Sequence, residues 1–479
     1  MVDAQKDFAA EFRTPLVWCT VKLSEVISSG LRLDVESYGI EARNAHRRLM
    51  SGKYAPVFIC GNNGLASAYV CGRFKRIWVE KSDYPIYQPS SIADLNPVPD
   101  GYISYNTRTN IEKLRLRKGQ VLLSCSGNVG KTAYVSKTLD GLIFSHDLIR
   151  IECINPDDAG YLYAYFKSDV GSKVVASNTY GTVITHIEPE HLEKVPIPDA
   201  PIELKKKVND LVVKSYELRD ESNDLLDEAN RLLIQELELP PLEKMKANTA
   251  DKAEMFTIRL SQSDLRFDVS YHLPVVYDVI DHLKRYSAEL TTVGDERIST
   301  RVLLPGRFKR SYVEKGMGRI FIGGKQIGQL DPQDKKYLSL SRHEKRISRE
   351  LMLSENMTLI TRSGTIGQLA LVSKHWENWI ASEHLIRVIP ANENVAGYLN
   401  VFLASQWGRL LIERNTYGSV VDEITDEQVK NIPFPLLKNH DIQRKINDLA
   451  LQANAKRYEA YLMEKDAINV IDEEVLAQN

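Results

Sequence analysis

GRFKRIWVEK occupies Gly72–Lys81, and GRFKRSYVEK occupies Gly306–Lys315. Only two letters change between them, and one of the changes keeps an aromatic ring, Trp78 against Tyr312. The starts at 72 and 306 give an offset of 234, which LRLDV from Leu31 and LRFDV from Leu265 share. Further along, LLSCSGNVG from Leu122 matches LITRSGTIG from Leu359, an offset of 237. That offset then holds without a gap through SHDLIR/SEHLIR, AGYL/AGYL, NTYGTV/NTYGSV and VPIP/IPFP. Roughly 30 of the 77 positions from Leu122 to Pro198 are identical to their partners, far above chance, so the chain is an internal duplication. The slippage of three residues falls in the variable stretch between the matching blocks.

Each copy closes in the same way. A Pro-x-Pro stop is followed by a long segment of helical composition. The first runs from about Ile202 to Leu239, with Val208, Leu211, Ser215, Leu218, Leu225, Ala229 and Leu232 near helical spacing. The second runs from about Asp441 to Leu476, with Ile446, Leu449, Ala453, Ile468 and Ile471. Both carry Lys-[Val/Ile]-Asn-Asp-Leu, at Lys207 and Lys445. Stripes this long and narrow suit a two-helix coiled coil. Pro240 and Pro241 stop the first helix, and LEKMKANTADKAE reads as a linker. Within each globular copy, short strands and turns dominate. VLLSCSGNVGKTAYVS reads as a hairpin, and YLYAYFKSDVGSKVVAS and YLNVFLASQWGRLLIE read as helices ending near the NTYG turn. The expected class is mixed α/β (α+β). Its order is a globular domain over 1–200, a helix over 201–240, a second domain over 241–437 and a helix over 438–479.

Bulk composition narrows the chemistry. The chain has 479 residues, 43% hydrophobic and 26% charged, which supports ordinary cores. No apolar run reaches the ~18–20 residues of a membrane span. The stretch MVDAQKDFAAEF is acidic and polar, unlike a secretory signal. Cys19, Cys60, Cys71, Cys125 and Cys153 are odd in number and show no CxxC spacing, so neither a disulfide framework nor a zinc site is expected. A cytoplasmic location follows as the expectation. The net charge of −2 conceals basic clusters at Arg47 and Arg48, Arg73–Arg76, Arg108–Lys118, Arg307–Arg310 and Lys335–Arg349, with acid gathered in DESNDLLDEAN and IDEEV.

Enzyme signatures are missing. SGNVGKT has the end of a phosphate-binding loop, G-x-x-x-x-G-K-[ST], but Cys125 stands where its first glycine belongs. The matching turn turns Gly130-Lys131-Thr132 into Gly367-Gln368-Leu369, so no repeated lysine supports nucleotide chemistry. The sequence reads as a glycine-requiring turn instead. No GxSxG, HExxH or adenine-methyltransferase signature occurs, and His146 and His384 are not at equivalent positions. No catalytic, cofactor-binding or metal-ligating residue is expected.

What does repeat is basic and aromatic. Arg73, Lys75 and Arg76 with Phe74 and Trp78 return as Arg307, Lys309 and Arg310 with Phe308 and Tyr312. A solvated strand with snorkelling cations would account for such residues one at a time. As a repeated set they suit phosphate neutralisation. Residues that read sequence should lie where the copies differ. SYNTRTNIEKLRLRKG in copy one answers SLSRHEKRISRELM in copy two, setting Asn106, Arg108, Asn110 and Arg115 against Arg342, His343, Lys345 and Arg346. Arginine pairs with guanine and asparagine with adenine through paired major-groove hydrogen bonds. Arg117 and Lys118 at the end of the first variable stretch, and Arg362 in the second SG turn, complete the candidate DNA-binding set.

The doubled pattern resembles the specificity subunit of Type I restriction-modification systems: variable region, [IL]-x-x-SG-x-[IV]-G turn, NTYG segment, Pro-x-Pro stop, long helix. Leu359–Gly367 is close to the family's typical form, while copy one departs at Cys125, Asn128 and Val129. The Glu-Gln that often follows the Pro-x-Pro is half kept, as Glu203-Leu204 and Ile442-Gln443. The resemblance implies two target recognition domains, each reading one half of a split site in double-stranded DNA. It implies long helices packed antiparallel with pseudo-twofold symmetry, and a subunit that is not itself an enzyme. It implies two adenine methyltransferase subunits using S-adenosylmethionine and two ATP-driven, Mg2+-dependent restriction subunits as partners in phage defence. Two other readings stand beside it: the recognition subunit of a Type IIB-like enzyme, and a DNA-binding regulator without catalytic partners.

Overall fold

The computed structural model describes residues 20–28, 31, 38–181, 184–245, 256–260, 263, 266–418 and 421–477. Cys19, MVDAQKDFAAEF, residues 32–35 of LRLDV, residue 265 of LRFDV and residues 246–254 of the linker lie outside the described residues. The chain divides into two compact units. One comprises Met1–Ile92, Val98–Lys214 and Met463–Asn479; the other comprises Ala93–Pro97 and Ser215–Leu462. The long helices are not units of their own, because each is divided between the two.

The duplication is built three times over in strand pairing. In the first unit, Pro56–Phe58 pairs antiparallel with Pro196–Pro198. A four-stranded sheet runs Ala66–Tyr69, Leu148–Cys153, Val121–Ser124, Thr132–Tyr134, and a second runs Trp78–Val79, Gly101–Ile103, Pro85–Tyr87, Ile143–Phe144. The second unit repeats all three. Glu289–Thr292 pairs with Pro433–Leu436; Ser299–Leu303, Leu385–Pro390, Thr358–Thr361 and Leu369–Leu371 form one sheet; Tyr312–Val313, Lys336–Ser339, Gly318–Ile322 and Ile380–Ala381 form the other. In each unit the last pairing of that sheet is parallel. The expected hairpin is present in both copies, across a turn whose glycines 127, 130, 364 and 367 all have positive φ.

The two long sequence motifs meet each other. Gly160 of the first AGYL donates its N–H to Asn209 Oδ1 of KVNDL at 2.9 Å, and Gly397 of the second donates to Asn447 Oδ1 of KINDL at 2.9 Å. A Cβ on Gly160 would stand 2.6 Å from the Asn209 Cα, and one on Gly397 would stand 2.2 Å from the Asn447 oxygen, so only glycine permits the approach. The next residue, Tyr161 or Tyr398, donates its hydroxyl to the carbonyl of Pro198 or Pro435, at 2.7 and 2.8 Å. Each helical segment before NTYG is two helices rather than one. Ser168 and Ser405 break it, each capping the second helix by accepting the N–H of Gly171 or Gly408.

The first long helix spans Ile202–Glu236 and the second His440–Val470, with a wider turn over Ile471–Val475. In the second unit they run antiparallel: Ser215 Oγ donates to the Ala460 carbonyl at 2.7 Å, Glu221 pairs with Lys456, and Arg457 donates to Ser222 Oγ at 3.2 Å. In the first unit Lys207 meets Glu474 at 2.6 Å. The buried stripe is broader than a two-helix seam. Val212, Tyr216, Leu233 and Leu237 are buried as well, because the helix also covers globular core. Leu233 and Leu237 join Val275, Val279, Tyr398 and Phe402 in one cluster, each buried leucine contributing about 1.5–3 kcal/mol. Among the described residues no helix is long and apolar enough to cross a membrane.

Candidate nucleic-acid interface

The GRFKR stretches are extended chain leading into two-residue strands, Trp78–Val79 and Tyr312–Val313, rather than strands themselves. Their alternation separates the side chains. Arg73, Lys75, Arg307 and Lys309 are exposed, while Phe74, Phe308, Arg76 and Arg310 are half-buried. Each phenylalanine meets an imidazole edge-on, but from different elements: Phe74 meets His146 at 5.7 Å, and Phe308 meets His343 at 5.3 Å.

In copy two the structure gathers most of the expected residues. Arg307 Nη2 donates to Glu423 Oε1 at 2.7 Å, and the other oxygen of Glu423 accepts from Arg362, whose side chain is only 10% exposed. Arg310 Nη2 donates to Glu383 Oε1 at 2.7 Å, with its guanidinium over the Phe321 ring. The variable stretch begins as a helix, Leu340–Arg346, continued by a wider turn over Ile347–Leu351. His343 Nε2 accepts the Ser311 N–H at 3.2 Å, and Arg346 donates to the Gly306 carbonyl while lying 4.7 Å from the Phe308 ring centre. His343 and Arg346 therefore brace the GRFKR stretch, whereas Arg342 and Lys345 are exposed on the helix. Beside them lies a cleft of about 500 Å³ lined by Arg310, Tyr312, Lys325, Lys336, Ser363 and His384 among others.

Copy one gathers fewer. Asn106 and Arg108 are exposed on the loop before the short helix Ile111–Leu114, which Asn110 caps by accepting the Lys113 N–H. Arg115 is bound locally, to Glu112 Oε1 at 3.0 Å and to the Gly141 carbonyl at 2.9 Å. Arg117 and Lys118 are exposed at the turn before Val121–Ser124, Arg117 reaching Glu152 at 3.5 Å. Among the described residues no carboxylate pairs with Arg73, Lys75 or Arg76.

Three residues that sequence reasoning missed organise the site. Glu383 and Glu423 supply the carboxylates, and His384 Nδ1 bonds Ser363 Oγ at 2.7 Å. Burial alone would push the Glu383 carboxyl up; the Arg310 hydrogen bond, its own backbone and the charges of Arg310 and His384 together hold it below the usual range. Burial lowers His384; the Glu383 charge opposes this, and the three nearby arginines add to the lowering. Deeper still, Arg150 and Arg387, the arginines of the LIR repeat, are almost fully buried and donate only to carbonyls. Those are Leu148, Leu114, Phe144 and Ser145 for the first, and Leu385, Ser382, Leu351 and Ala381 for the second. Burial lowers the Arg387 guanidinium to about 9. They are framework cations, tying one sheet of each unit to the other.

Among the described residues no cluster of His, Cys, Asp or Glu could hold a metal ion. Cys60, Cys71, Cys125 and Cys153 are free thiols, and burial pushes Cys60 and Cys153 up to about 12.

Residues 75–210 match the family described as the Type I restriction modification DNA specificity domain. This match bears out the resemblance drawn from the doubled motifs, and the domain contains Arg76, the first variable stretch, the SG turn, NTYG and the start of the long helix. Among solved structures, the chain is similar to the Type I restriction-modification S subunit from M. genitalium. Identity is 13%, with 88% of this chain and 98% of that chain covered and a TM-score of 0.28. It is also similar to the HsdS subunit from Thermoanaerobacter tengcongensis, at 15% identity, 88% and 99% coverage and a TM-score of 0.25. No curated protein matches the chain.

Proposed function

We propose that this chain is the DNA-recognition subunit of a Type I restriction-modification complex, reading a bipartite site with one half per repeat. The observation that carries this reading is a single fold frame written twice, around equivalent cationic stretches, with different polar residues set beside each. One frame with two sets of readers suits two half-sites of unlike sequence. On this reading Arg73, Lys75, Arg76, Arg117, Lys118 and Lys309 meet the phosphate backbone. Asn106, Arg108, Arg115, Arg307, Arg310, Arg342, His343, Lys345, Arg346 and Arg362 form or brace the base-reading face. The subunit performs no chemistry itself. It works in the cytoplasm with two adenine methyltransferase subunits, which bind S-adenosylmethionine, and two restriction subunits, which use ATP and Mg2+.

The long helices set the gap between the half-sites. At 35 and 31 residues, with a rise of ~1.5 Å per residue, they extend ~52 and ~46 Å, beyond one DNA turn of ~34 Å. Sequencing the methylome of a host with and without this gene tests the whole reading. A methylated-adenine motif in two parts, present only with the gene, is the expected result; identical methylomes would overturn it.

A further inference from the structure

The two copies share their frame but differ at two frame positions beside the GRFKR stretch. The first position follows the serine of SHDLIR/SEHLIR, and is His146 in copy one and Glu383 in copy two. The second follows NTYG, and is His186 in copy one and Glu423 in copy two. Its equivalence is structural as well. His186 pairs with Tyr180 and Ser126 as Glu423 pairs with Tyr417 and Ser363, and the next residue, Ile187 or Ile424, donates to the carbonyl of Cys125 or Arg362. Both carboxylates of copy two are thus imidazoles in copy one, and the Arg362 position is Cys125.

The consequence for the arginines is direct. In copy two, Glu423 bridges Arg307 and Arg362, and Glu383, itself only 5% exposed, holds Arg310. Among the described residues of copy one, Arg73 and Arg76 have no carboxylate and the buried Arg76 Nε has no hydrogen-bond partner. His146 is turned instead to Asp147, at 3.4 Å.

A guanidinium tied to a carboxylate through one nitrogen keeps its other N–H donors in a fixed direction but has its charge offset. It is suited to reading a base edge and poorly suited to displacing counterions from phosphate. An untied guanidinium has the opposite balance. We infer that Glu383 and Glu423 are positioning residues that make Arg310, Arg307 and Arg362 oriented base readers of the second half-site, while Arg73 and Arg76 act on the first half-site as phosphate clamps. The inference rests on the DNA-recognition reading above and assigns the two copies different recognition physics.

The test uses the full chain with its methylating partner, selecting from DNA carrying a randomised site and then measuring affinity across a salt series. Glu383→Gln and Glu423→Gln should relax base preference in the second half-site only, and should steepen the salt dependence by up to about one unit of log-log slope for each cation released. Retained preference at the first half-site shows that each variant is folded. In the converse variant, His146→Glu should give Arg76 a partner and flatten the salt slope by about one unit, leaving second-half preference unchanged. Unchanged second-half preference and salt slope in both glutamine variants would overturn the inference. A wild-type chain that selects no two-part site would instead overturn the DNA-recognition reading itself.

Discussion

Copy one and copy two agree most closely where nothing meets solvent, and part company where the cationic face begins. The buried arginine of LIR, the glycine of AGYL, the asparagine of the KVND/KIND stretch and the tyrosine bonded to the Pro-x-Pro carbonyl are matched atom for atom. The side chains around GRFKR are not matched, even where their backbones are. Duplicated packing with divergent polar neighbours separates what the fold requires from what each copy is free to vary.

The largest effect should come from the framework arginines. Arg150→Met and Arg387→Met each leave several buried carbonyls without donors, at about 1–3 kcal/mol per group, so a loss of at least about 3 kcal/mol is expected in either copy. Urea unfolding followed by copy-specific hydrogen exchange would measure it. A loss confined to one copy would break the equivalence of the two frames. Next in size are Gly160→Ala and Gly397→Ala, which press a methyl into the Asn209 or Asn447 backbone. Overpacking of this kind costs about 1–3 kcal/mol, and the shorter 2.2 Å approach places Gly397 at the upper end. Equal tolerance of alanine at both would show that the helices part easily there.

The frame was legible in the sequence because it repeats. AGYL, KVNDL and Pro-x-Pro stood out as motifs, and each proved to touch another of them. The strand order was not legible, since the strands are two to six residues long and the parallel pairing of Pro85–Tyr87 with Ile143–Phe144 is non-local. The candidate site was half legible. Cations announce themselves by composition, but their partners do not. Glu383 lies 73 residues from Arg310, and Glu423 lies 116 from Arg307, so only the fold joins them. The helix Leu340–Arg346 was hidden by its polarity; its inward face binds the backbone through His343 and Arg346 instead of an apolar stripe. Copy one has a different tie, the Cys71 Sγ donating to the Lys113 carbonyl at 3.1 Å just before its GRFKR stretch. Arg346→Ala should loosen GRFKR in copy two by about 0.5–1 kcal/mol, the scale of one exposed cation–π contact, seen as faster exchange of the Tyr312–Val313 amides. Unchanged exchange would mean that Phe308 is held by His343 alone.

The smallest effect separates the copies by acidity. At one frame position copy one has His146 and copy two has Glu383, and both are depressed, for different reasons. Burial lowers His146 most, with the charges of Arg76, Arg73 and Arg150 adding to it against Asp147. Glu383 is lowered because Arg310 and its other partners outweigh its burial. A depressed group stabilises above its unfolded pKa and loses that contribution as pH falls through the folded one. For His146 the loss begins below about 6.5, and for Glu383 only below about 4.5. Copy one also contains His46, and copy two His343 and His384, all lowered mainly by burial, so both copies soften somewhat in the upper window. The variants isolate the shared position. His146→Gln should remove part of the softening of Leu148–Cys153 below about pH 6.5, and Glu383→Gln should remove the acid loss below about 4.5 in Leu385–Pro390 while deepening the upper-window softening there, because His384 loses the charge that holds it up. Amide exchange of the two strands across pH reads both, and a His146→Gln profile superimposable on the wild type would show that the imidazole is neutral to folding and that the copies differ there only in how they hold arginine.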